Sequence, residues 1–122
     1  MELKFIRKAE KEKSMPKDKK YGGVWKDIVK LASLRLNNSF LLCIYDTYFD
    51  TFLSRHDYMR KSEGYVLKNM ELENAKNWVL NTKSVAKELG KYKQDIDDVK
   101  QISIIITSNI NKGLKLILYK IN

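Results

Sequence analysis

Between Glu71 and Leu89 the positions Leu72, Ala75, Val79, Thr82, Ala86 and Leu89 recur at spacings of three and four, and Trp78 and Val85 widen the same stripe. That is the period of one helix face. Glu71 and Glu73 fall in the first turn, Lys87 in the last, and Gly90 follows, all in the senses favoured by helix dipole and cap, so the sequence predicts a helix over 71–89. Such a helix draws its stability from whatever covers its stripe. The rest of the chain must therefore supply a second layer.

The C-terminal end offers one. Ile102, Ile104 and Ile106 alternate on one face of a strand, Leu114, Leu116 and Leu118 on one face of another, and Asn109-Ile110-Asn111-Lys112-Gly113 supplies turn residues. Ile105 and Ile117 make the opposite positions apolar too, so both faces of this hairpin are expected to be at least partly covered. Upstream, Phe40 to Tyr45 reads as a well-buried strand, and Tyr48, Phe49, Phe52 and Leu53 as a second strand or a short helix. Residues 54–63 read as a loop, 64–68 as a strand, and a short turn is expected through Ile96 and Val99. Trp25, Ile28, Val29, Ala32 and Leu36 predict a helix over 24–36, punctuated before by Tyr21-Gly22-Gly23 and ended by Asn37-Asn38. A competing reading makes Asn37-Asn38 a hairpin turn between strands 31–36 and 39–45. The expected class is α+β: a mainly antiparallel sheet including a C-terminal hairpin, packed against a long amphipathic helix and an N-terminal helix.

A chain of 122 residues can bury one ordinary core without metal or disulfide, and residues 21–122 are read as a single domain. Residues 1–20 are read as a basic arm. Leu3, Phe5 and Ile6 can open a short strand, but from Arg7 to Lys20 the only apolar residues are Ala9, Met15 and Pro16, too few to offset the entropy of ordering. The arm is therefore expected to be mobile or ordered by a partner, with a solvated helix as the alternative.

Charge carries the functional signal. The net charge is +9, and it is uneven: residues 1–35 carry +6, residues 36–99 carry −1, and residues 100–122 carry +4. A field of this kind attracts polyanions and is screened by salt. The opening Met1-Glu2-Leu3-Lys4 leads into charge, so no secretory signal is expected, and the longest apolar run is far short of the roughly 20 residues of a membrane helix. With its single Cys43, the chain is expected in a reducing cytoplasm, without disulfide, metal or cofactor.

Enzyme chemistry finds little foothold. One Cys and one His fall short of a zinc ligand set, and Asp95-Ile96-Asp97-Asp98 lacks the glycine and distal Glu of an EF-hand. Asp98-Val99-Lys100 has the D-x-K spacing of a nuclease site, for which Asp46 or Asp50 would have to be partner, but that spacing arises readily in a chain so rich in charge. Cys43 sits inside an apolar run, where an inert thiol is expected, and His56 lies between Arg55 and Asp57 in a polar loop. Ser54 makes no nucleophile elbow, and Gly22-Gly23 makes no phosphate loop. The sequence therefore predicts a protein that is not an enzyme and has no catalytic or metal-ligating residues.

Nucleic-acid binding has physical support. Lys4, Arg7, Lys8, Lys11, Lys13, Lys17, Lys19, Lys20 and Lys26 are interleaved with Tyr21 and Trp25, combining phosphate-neutralising charge with planar groups for base stacking. Arg55, Arg60 and Lys61 around Tyr58 form a smaller cluster. The expected partner is DNA or RNA, a nucleic-acid-processing protein, or both. The rival class is a protein-binding inhibitor whose basic arm enters an acidic surface. In layout, with a lysine-rich start, a strand-helix-hairpin body and no catalytic motif, the chain resembles some small phage-encoded inhibitors of CRISPR effectors. That resemblance implies a phage or mobile-element protein blocking such a nuclease, and assigns no functional residue.

Overall fold

The computed structural model describes residues 2–6, 17–46 and 57–122. In chain order these form β1 (Glu2–Ile6), α1 (Lys17–Ser33), β2 (Ser39–Asp46), a 3-10 turn (Asp57–Arg60) and β3 (Tyr65–Val66). Then follow α2 (Asn69–Asn81), α3 (Lys83–Leu89), a 3-10 segment (Gly90–Asp98), β4 (Ile102–Asn111) and β5 (Leu114–Ile121). The strands make one sheet in the order β1-β2-β5-β4-β3. β1 runs parallel to β2, and every other pair is antiparallel. The class is α+β, with helices packed against a mainly antiparallel sheet.

Alternation decides which strand residues enter the core. Leu41, Cys43 and Tyr45 of β2 and Ile117, Tyr119 and Ile121 of β5 are buried on one face, where they join Tyr21, Trp25, Ile28, Leu72, Val79 and Leu89 from the helices. Cys43 is thus a buried, reduced thiol. Phe40, Leu42, Ile44, Leu116 and Leu118 lie on the opposite face and are half-buried.

The β4–β5 register shifts between Ile104 and Ile106 and again between Asn109 and Asn111, and the first shift changes which residues reach the core. Ile102 and Ile104 are buried, but Ile106 is 42 % exposed. A bulge between Ile104 and Ile106 inserts one residue, so Ile104 pairs with Tyr119 while Ile106 pairs with Leu118 on the outer face. Ile102, Ile104 and Ile106 therefore do not share a face, and the core face of β5 is that of Ile117 and Tyr119.

The N-terminal helix begins at Lys17 and ends at Ser33, rather than spanning 24–36. Gly22 and Gly23 do not punctuate the chain. Gly22 is buried within α1, where the helix crosses α3 too closely for a side chain. The helix stops at Leu34 and Arg35, whose N–H groups donate to Leu31 O (3.2 Å) and Ala32 O (3.0 Å). Arg35 takes the left-handed conformation (φ 54°) expected of an Asn there. Residues 31–45 are thus helix then strand, and the hairpin alternative is excluded.

The helix expected over 71–89 is two helices. Thr82 is extended (φ −98°, ψ 104°), and the Asn81 side-chain amide donates to Asn77 O at 2.8 Å. An Asn that bonds the backbone beside a β-branched Thr weakens the helix there. Leu72, Ala75 and Val79 are buried from α2, and Val85, Ala86 and Leu89 from α3.

The proposed arm spans described and undescribed residues. Glu2–Ile6 pair with Leu41–Tyr45 at the sheet edge, and residues 17–20 open α1. Residues 7–16 lie outside the described residues, as do Tyr48, Phe49, Phe52 and Leu53. Within the expected loop 54–63, residues 57–60 form the 3-10 turn and Met59 is fully buried.

Candidate nucleic-acid interface

α1 buries Tyr21, Val24, Trp25, Ile28, Val29 and Ala32, which leaves the opposite side of the helix to Lys19, Lys26 and Lys30. Seven and four residues apart, these three lysines share one stripe. α1 packs along α3 and the 3-10 segment that follows it, and there Lys83, Lys87, Lys91 and Lys93 are also exposed. Lys19 Nζ lies 4.0 Å from Glu88 Oε1, which ties the α1 stripe to α3. The outer surface of the helix layer therefore carries seven exposed lysines on three adjoining segments. Such a surface carries a positive field that attracts polyanions and is screened by salt.

Two of the aromatic residues expected there are elsewhere. Tyr21 and Trp25 are 1 % and 0 % exposed, so neither ring can stack on a base. Their spacing put them on the helix face opposite the lysines. Tyr21 instead meets Trp78 edge-on at 5.0 Å between ring centroids, and burial pushes its hydroxyl well above the usual phenol range. Lys20 is half-buried, and desolvation lowers its pKa. Lys4 falls in β1 and Lys17 in the first turn of α1. Arg7, Lys8, Lys11, Lys13 and Arg55 lie outside the described residues.

The second cluster gains structure at Arg60 and Lys61, both exposed at the end of the 3-10 turn. Tyr119 Oη donates to Met59 O at 3.0 Å, and Thr107 Oγ1 donates to Lys61 O at 3.4 Å, so the backbone is anchored to the sheet on either side of Arg60. Lys61 Nζ sits 5.6 Å from the Tyr65 ring centre. Tyr65 Oη in turn donates to Glu71 Oε2 at 2.5 Å, which also accepts from Lys68 N at 3.0 Å. These bonds hold the Glu71 carboxyl below its ordinary range, while desolvation and the bond to Glu71 push Tyr65 up to about 12. Tyr58 is half-buried and likewise pushed up to about 12, by desolvation and then the Glu71 charge.

No protein-family model matches this sequence, and no curated protein or solved structure matches it. Asp97 and Asp98 reach Lys76 (3.9 Å) and Arg35 (3.9 Å) respectively, so the acidic run of the 3-10 segment ties neighbouring elements together. Among the described residues no three His, Cys, Asp or Glu side chains converge as a metal site would require, and no helix is long and apolar enough to cross a membrane.

Sequence reasoning missed Lys30, Lys83, Lys87, Lys91 and Lys93. The i, i+4, i+8 spacing of Lys83, Lys87 and Lys91 was the available signal. That α3 lies beside α1, and so merges two lysine rows, depends on tertiary packing.

Proposed function

We propose that this protein is a non-enzymatic, cytoplasmic nucleic-acid-binding accessory protein, whose contact surface is the lysine-bearing outer side of the helix layer together with the basic N-terminal segment. One observation carries the reading: Lys19, Lys26 and Lys30 of α1 adjoin the exposed lysines of α3 and the 3-10 segment. Binding through such a surface is dominated by counterion release and is largely indifferent to sequence. A titration of fluorescent single- and double-stranded oligonucleotides over a salt series tests it. Log K should fall linearly with log salt, and Lys26→Ala, Lys30→Ala and Lys87→Ala combined should lower the slope by about two to three. A salt-independent affinity, or none at low salt, would overturn the reading.

A second reading is favoured by the outer sheet face, where Val66, Ile105 and Ile106 are exposed beside half-buried Leu116 and Leu118. An apolar patch opposite a basic one suits a module that inhibits a nucleic-acid-processing protein such as a CRISPR nuclease. That module would co-purify with its target and keep most of its affinity as salt rises moderately.

A further inference from the structure

The helix layer, α1 to α3 with the 3-10 segment that follows, carries four aromatic side chains: Tyr21, Trp25, Trp78 and Tyr92. All four turn inward. Tyr21 and Trp25 belong to the core itself, and Trp78 and Tyr92 are partly buried against it. Trp78 meets Tyr21 edge-on, and the Lys91 ammonium lies 5.3 Å from the centre of the Tyr92 ring. Each ring of the layer is thus already engaged.

The charge of the same layer is arranged the opposite way. Lys26, Lys30, Lys83, Lys87 and Lys93 are exposed, and among the described residues none of the five takes part in an ion pair or a ring contact. Lys26 and Lys30 stand about 6 Å apart along the axis of α1, as do Lys83 and Lys87 along α3. The two helices cannot slide past each other freely, because Gly22 of α1 lies against Val85 and Glu88 of α3. The bases of the two lysine rows are therefore fixed relative to one another.

Fixed charge without a free stacking ring discriminates between the two forms of a nucleic acid. A single strand is flexible and must be ordered on the surface, a loss that proteins holding single strands offset by stacking bases on aromatic side chains. A duplex arrives stiff, with its bases already stacked on one another, and presents one charge per about 1.7 Å of its axis. We propose that the lysine surface of the helix layer takes double-stranded nucleic acid in preference to single-stranded, through its phosphates alone. This inference rests on the nucleic-acid reading above and narrows it.

The test titrates the full-length protein with a labelled duplex of about 20 base pairs and with a single strand of about 40 nucleotides, matched in phosphate number, over a salt series. The duplex should bind at least about tenfold tighter at about 0.1 M salt, with a slope of log K against log salt of about 4 to 5, against about 3 to 4 for the single strand. DNA and RNA versions of both probes show which duplex supplies the phosphates. Trp25 and Trp78 are the only two tryptophans, so intrinsic fluorescence reports directly on stacking and should hold steady at saturation. Lys26→Gln, Lys30→Gln and Lys87→Gln combined should weaken duplex binding and lower its slope by about two to three. The same three positions changed to Arg should bind like the parent, which separates lost charge from lost fold. A single strand that binds as tightly as the duplex, or that quenches the tryptophans, overturns the duplex preference and leaves the nucleic-acid reading standing. Duplex affinity unchanged in the Gln variant moves the contact off this surface and overturns the inference as well. Failure of both probes to bind at low salt overturns the nucleic-acid reading itself.

Discussion

A Cβ placed on Gly22 of α1 would stand 2.7 Å from the Glu88 Cβ and 2.9 Å from the Val85 carbonyl oxygen of α3. The two helices meet at a distance only glycine permits. This crossing brings the lysine row of α1 next to that of α3, so one hydrogen in place of a methyl group links the core to the basic surface. Gly22→Ala gains helix propensity of up to about 1 kcal/mol but must push back a backbone oxygen. The expected net result is a loss of about 1–3 kcal/mol, read as a lowered melting temperature. A variant that melts at or above the parent would mean that α3 can retreat at little cost.

Trp25 and Trp78 should respond differently to truncation. Trp25 is wholly enclosed, and Trp25→Ala is expected to cost about 3–5 kcal/mol. Trp78 is half-buried and meets Tyr21 edge-on, so Trp78→Ala should cost less, roughly 1–3 kcal/mol. Urea denaturation of the two variants, with far-UV circular dichroism as readout, orders them. Equal losses would contradict this difference in burial.

Along β4, Ile104 faces the core and Ile106 faces outward because of the bulge between them. Ile104→Ala is expected to cost about 2–5 kcal/mol. Ile106→Thr should stay within about 1 kcal/mol of the parent, since it keeps the β-branch at an exposed position. A strand without the bulge would make both substitutions severe.

Tyr119→Phe removes the donor to the buried end of the 3-10 turn at Met59 O. The expected loss is about 1–3 kcal/mol, the cost of leaving a carbonyl without its partner. Hydrogen exchange at Arg60 and Lys61 should speed up in this variant, because the turn has lost the Tyr119 anchor. Unchanged exchange would show that the turn does not depend on this bond.

The Tyr65–Glu71 contact sets two limits in pH. Glu71 has a lowered folded pKa, so its contribution is present above the unfolded carboxyl value of about 4.3 and is lost as pH falls through the folded value. Tyr65 is raised to about 12, so its contribution is full below the unfolded phenol value of about 10 and is lost as pH rises through the folded one. Chemical denaturation at a series of acid pH values should therefore show stability falling less steeply in Glu71→Gln than in the parent. Parallel curves would remove Glu71 from the acid limb.

Local periodicity was enough for the α+β class, the strand at Phe40–Tyr45, the C-terminal hairpin and the buried Cys43. Each rests on neighbouring residues that bury one face at a period of 2 or 3.6. The basic character was equally plain from the uneven net charge. Periodicity does not report interruptions that leave the hydrophobic pattern intact. The bulge near Ile105 and the break at Thr82 both arise where the chain gives up local regularity to stay on the core, and both escaped the sequence. Gly22-Gly23 looked like punctuation because the reason for a glycine lay 66 residues away at Glu88. The same limit applies to the site. Composition marked Arg60 and Lys61, but long-range hydrogen bonds from Tyr119 and Thr107 anchor the backbone beside them, and the packing of α1 on α3 brings two lysine rows together. Charge is carried by single residues and is visible one at a time, whereas a continuous charged surface depends on which elements lie side by side, which only the closed tertiary structure sets.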